Sequence, residues 1–73
     1  MFSISLRNAD HQRRFSISRT QESGWEVRRE EDRRLIHHIR YHDWHRVERA
    51  RAIFTLEVSK LTAAGWQVVS EES

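Results

Sequence analysis

Four histidines, His37, His38, His42 and His45, crowd into one short stretch, and imidazoles this close together can bind zinc or nickel. His37 and His38 are chain neighbours where the pattern alternates with period two, so they point to opposite faces of a strand. His42 lies ahead of a helix start and His45 inside its first turn, so the set does not converge. No metal site is expected. The chain has no cysteine, which excludes disulfides and thiolate zinc sites. Ser, His, Asp and Glu are all present, yet none sits in a nucleophile elbow or an H-E-x-x-H arrangement. Gly24 and Gly65 are the only glycines, which leaves no phosphate-cradling loop and no dinucleotide fingerprint. Seventy-three residues also supply little wall for a substrate pocket. Neither an enzyme nor a bound cofactor is expected.

Arginine is the other residue type with chemistry to offer. Of 13 Lys and Arg, only Lys60 is a lysine, and 11 Asp and Glu reduce the net charge to +2. The guanidinium fork donates in pairs and suits phosphate and carboxylate. If the apolar residues of the alternating strands face a core, the opposite parity carries Arg7, Arg14, Arg28, Arg40 and His38 among Ser3, Ser5, Ser16 and Ser18. Sheet faces that bind single-stranded nucleic acid look partly like this, but they stack bases on exposed aromatics. Here every strand aromatic lies on the inward parity, and Glu26 and Glu30 interrupt the basic patch.

The elements that position these residues follow from two periods. Alternation predicts strands over about 2–7, 13–20, 25–30 and 34–41, joined by short polar links that allow only an antiparallel meander. From Asp43 the apolar residues Val47, Ala50, Phe54, Val58 and Leu61 form one stripe at 3.6 residues per turn, with Ile53 and Ala64 beside it. This predicts a helix over about 43–64, with Asp43 as N-cap, Gly65 as terminator and Trp66 folding back on Leu61. Residues 66–70 read as a short strand or tail, and 70–73 as a frayed acidic end. The fold class is therefore α+β: a four-stranded meander, one long amphipathic helix on one sheet face, then a short strand or tail, all in a single domain over 1–73. The order β-β-β-β-α resembles that of the Whirly-type single-stranded-DNA-binding fold, and a sheet followed by a helix resembles the WGR domain. Either resemblance implies nucleic-acid binding, and no signature residue of either family is matched in this chain. The run from Ala64 to Ser70, Ala-Gly-Trp-Gln-Val-Val-Ser, is similar to helix-Gly-Trp endings of small bacterial domains.

Hydrophobic residues make up 37% of the chain and charged ones 33%, too apolar for disorder but lean for a core. The core is expected from Phe2, Ile4, Leu6, Phe15, Ile17, Trp25, Val27, Leu35, Ile39 and Tyr41 on the strands, with Val47, Ala50, Phe54, Val58 and Leu61 on the helix. Trp66 closes one end. Two residues break these patterns. Glu57 falls within the apolar stripe of the helix, and His37 falls on the inward parity of the fourth strand; a buried pair between them is expected, with Arg19 and Arg29 the other inward residues able to meet the carboxylate. On the other side of the helix, Leu56 lies with Ala52, Ser59 and Ala63, a strip that lets a second helix approach closely. A domain this small gains stability from a partner. These readings point to a small non-enzymatic binding or assembly module, a homodimer acting in protein–protein interaction. Nucleic-acid binding through the Arg-bearing face is the alternative. No run is apolar enough for a membrane span or a signal peptide, so a soluble, cytoplasmic protein is expected.

Overall fold

The computed structural model describes residues 2–72. Its elements are β1 (Phe2–Asn8), β2 (His11–Arg19), β3 (Trp25–Glu31), β4 (Arg34–Tyr41), α1 (Trp44–Ala63) and β5 (Gln67–Glu72). The four strands of the meander pair antiparallel in sequence order, and β5 returns to pair antiparallel with β1, giving the order β4-β3-β2-β1-β5. The α+β meander-plus-helix arrangement is thus the one the two periods call for, and the short terminal element is a strand. Glu71 and Glu72, read above as part of a frayed end, belong to β5, whereas Ser73 lies outside the described residues.

Register explains the alternation. One row across the sheet runs Phe2, Ile17, Val27, Ile39, and the next runs Ile4, Phe15, Arg29, His37. Both rows face α1. Phe2, Ile4, Leu6, Phe15, Ile17, Val27, Val47 and Phe54 are the buried core, with Trp25, Tyr41, Ala50, Val58, Leu61 and Trp66 partly buried around it. The Phe15 and Phe54 rings lie 5.0 Å apart and tilted by 40°, within the range favoured by aromatic quadrupoles.

The helix is bounded as its sequence requires. Asp43 is extended, and its carboxylate accepts from the His45 amide at 3.0 Å. At the other end, the Trp66 amide donates to the Leu61 carbonyl at 2.9 Å and the Gly65 amide to that of Thr62 at 3.2 Å. These two bonds define a Schellman close, and Gly65 takes the positive φ of 104° that it needs.

Two expected core residues are not in the core: Leu35, and Ile39, which stands half-buried on edge strand β4 outside the packed cluster. Leu35 is 45% exposed. The ladder between β3 and β4 pairs Arg29 with His37 but Glu30 with Leu35, so Ile36 is an extra residue in a β-bulge. Beyond the bulge the side-chain parity is inverted, and Leu35 joins the face turned away from α1. Ile53, placed beside the apolar stripe by the sequence, is likewise largely exposed.

Candidate functional site

The outer face of the sheet carries the residues with the most chemistry. Its rows are Ser18, Glu26, Arg40; then Ser3, Ser16, Arg28, His38; then Ser5, Arg14, Glu30, Leu35; then Arg7 and Gln12. All five basic residues singled out in the sequence, Arg7, Arg14, Arg28, Arg40 and His38, therefore share one face. Strict alternation on three strands, plus the segment of β4 after its bulge, puts them there.

Their electrostatics are uneven. The Glu26 carboxylate meets His38 Nε2 at 3.3 Å and Arg40 Nη2 at 3.4 Å, so one end of the patch is neutralised internally. Arg7 donates from Nε to the Ala9 carbonyl at 3.3 Å. Arg14 stands directly across from Glu30 in the ladder. Arg28 is half-buried, and its Nε is enclosed with no hydrogen-bond partner among the described residues. Arg14 and Arg28 flank a groove of about 370 Å³ floored by Ser3, Ser16 and Ser18, with Glu72 at one side. The strand aromatics Phe2, Phe15, Trp25 and Tyr41 all occupy the opposite, inward rows. The outer face can therefore hold an anion electrostatically but offers no stacking platform for a base.

The helix presents the second candidate. Leu56 is 57% exposed and Ile53 48%, three residues apart and so on one side of the helix. Ala52, Ser59 and Ala63 are exposed beside them. The sequence strip of Leu56 with small neighbours is thus an open helix face. Ile53 belongs to it, and its spacing of three from Leu56 was the available signal. A further apolar groove of about 310 Å³ lies at the start of α1, between Trp25, Trp44 and Val47. The Trp25 and Trp44 rings are 5.1 Å apart, and Trp44 Nε1 donates to Glu48 at 2.8 Å. Trp44 escaped the sequence reading because it falls at the seam between the two periods.

The expected pair of Glu57 with His37 does not form. Glu57 accepts from Arg29 Nη2 instead, at 2.5 Å, and His37 is exposed. The reason is position. Arg29 and His37 share a cross-strand row, but His37 stands on edge strand β4, whereas Arg29 is on β3 and its guanidinium lies 5.6 Å and 5.5 Å from the Phe15 and Phe54 ring centres. Arg29 meets the helix where the core is, and its longer side chain makes up the depth.

Among the described residues no group of three or more His, Asp and Glu side chains is arranged to hold a metal ion. His37 and His38 lie on opposite faces of β4, as their ladder partners Arg29 and Arg28 require. No described helix is long and apolar enough to cross a membrane. No protein-family model matches the chain, and searches of the curated proteins and of the solved structures give no match either.

Proposed function

We propose that the chain is a non-enzymatic, cytoplasmic assembly module that acts as a homodimer, joined through the open face of α1. The observation that carries this reading is the exposure of Leu56 and Ile53 side by side on that face, bordered by Ala52, Ser59 and Ala63. Burying a leucine or isoleucine fully is worth about 1.5–3 kcal/mol, and small flanking residues let two helices approach at 8–10 Å. The size of the chain favours the same reading, since a single sheet with one helix leaves much of its apolar surface wet. Sedimentation over a range of protein concentrations tests it. At high salt, where charge-driven contacts are screened, a dimeric wild type and a monomeric Leu56→Glu are the expected result, because the new carboxylate would be desolvated against an apolar partner. A wild type that stays monomeric throughout, or an unchanged dimer in the variant, overturns it.

A second reading is favoured by the Arg14–Arg28 groove: the outer sheet face would bind the phosphates of a nucleic acid. Binding of this kind weakens steeply with salt as counterions are released. Reversing Arg14, Arg28 and Arg40 to Glu then abolishes retention of a mixed oligonucleotide pool, and an absence of wild-type binding at low salt ends the reading.

A further inference from the structure

The two edges of the sheet are open, and they differ in sign. At one edge, β4 and its flanks from Arg33 to His42 carry three Arg and three His with no acid. At the other, β5 carries Glu71 and Glu72 with no base. Each edge also exposes an adjacent apolar pair at a β-bulge, Leu35–Ile36 in β4 and Val68–Val69 in β5.

From this complementarity we infer that the partner of these edges is a further copy of the same chain, with β4 of one copy adding to β5 of the next. The inference rests on the reading that the chain assembles with itself, but it uses a different surface from the helix face. Edge charges are a common device against strand addition. Here they oppose only like edges, since β4 against β4 sets Arg and His against Arg and His, and β5 against β5 sets Glu against Glu. The mixed pairing is the one that charge permits. Strand directions agree with it. Through the antiparallel ladders, β4 and β5 run the same way, so a copy shifted across the sheet lays one beside the other as a parallel pair with both helices on one side. Among the registers that keep each face continuous, one sets Arg40 beside Glu72 on the outer face and brings the two bulges together. A contact of this head-to-tail kind does not close on itself as a dimer; it generates a ring or a filament.

Sedimentation of the wild type and four variants tests it, with circular dichroism and urea unfolding confirming that each is folded. At low salt, where charge pairing is least screened, wild type is expected to form species larger than the helix-mediated dimer, growing with concentration. Glu71→Lys with Glu72→Lys, or Arg34→Glu with Arg40→Glu, should raise the concentration of half-assembly by about tenfold or more. Mixing these two variants should restore assembly, because each now offers the edge the other needs. Ile36→Glu, at an exposed bulge position remote from the Arg40–Glu26 contact, serves as a second probe of the β4 edge with the same expected loss. Assembly that is unchanged in all the variants, or not restored by mixing, overturns the edge pairing. A dimer abolished by Leu56→Glu alone and untouched by the charge reversals also overturns it, while leaving the helix-mediated homodimer standing. A wild type that remains monomeric at all concentrations overturns both.

Discussion

Arg29 on β3 and Glu57 on α1 tie the sheet to the helix through a charge pair set against the Phe15 and Phe54 rings. Their side chains are 29% and 30% exposed, so neither charge is fully removed from water and the pair is only partly screened. Arg29 Nε is enclosed with no hydrogen-bond partner among the described residues. Truncating Glu57 to Ala therefore leaves a half-buried cation with no carboxylate to meet, a loss of about 1–2 kcal/mol. Replacing both residues with Met should recover most of that loss, since apolar substitutes for such pairs are often neutral. Urea unfolding of Arg29→Met, Glu57→Met and the double variant yields the coupling energy, and a value near zero would show that the pair contributes no specific attachment.

The β3–β4 turn gives the domain an acid-sensitive point. The Asp32 carboxylate accepts from the Gln12 amide at 2.8 Å and from the His11 ring at 3.3 Å. These bonds, the backbone one foremost, hold its pKa below the ordinary value of 3.8. A carboxyl lowered in the folded state stabilises the fold at pH above its unfolded pKa, and that stabilisation disappears as pH falls through the folded one. Asp32→Asn should therefore flatten the decline of the urea midpoint below about pH 4. An identical acid decline in the variant would assign it to other groups.

Two turns both favour glycine, one that lacks it and one that has it. Asp32 and Arg33 both have positive φ, 50° and 68°, the signature of a two-residue type I′ hairpin that favours Gly at its second position. Arg33→Gly should raise stability by about 0.5–1 kcal/mol. Gly24 already has φ of 127°, and an added Cβ would come within 2.9 Å of the Tyr41 carbonyl. Gly24→Ala should cost about 1–3 kcal/mol, and thermal unfolding reads both changes.

Leu6 and Leu35 look equivalent in an alternating pattern but occupy opposite environments. Leu6 is fully buried and Leu35 is exposed. Leu6→Ala should cost about 2–5 kcal/mol, and Leu35→Ala no more than about 0.5 kcal/mol. Comparable losses at the two sites would place Leu35 back in the core.

What could be read from the chain was local. The Asp43 cap, the Gly65–Trp66 close and the alternation of β1 to β3 each depend on residues a few positions apart, and each occurs as its spacing predicts. The shared face of Arg7, Arg14, Arg28, Arg40 and His38 followed from parity alone. Parity fails at Ile36 because an inserted bulge residue leaves no trace in composition, and every side chain beyond it changes sides. Choosing Arg29 over His37 as the partner of Glu57 required knowing which strands lie under the helix, a property of packing rather than of either segment. The pairing of β5 with β1 was equally invisible, since its six residues are all exposed and contribute little apolar pattern.

That last strand also sets an order of events. β5 can pair with β1 only after nearly the whole chain has been traversed, and closing so long a loop carries an entropic cost set against a single six-residue ladder. Its amides should exchange with solvent well ahead of those in β2 and β3, which are covered on both flanks. While β5 is released, β1 becomes the edge of a four-stranded sheet and presents the alternating Phe-Ser-Ile-Ser-Leu backbone of Phe2 to Leu6 to any other strand. The moment of greatest vulnerability to misassembly thus falls at the end of folding, when the core beneath β1 has already formed.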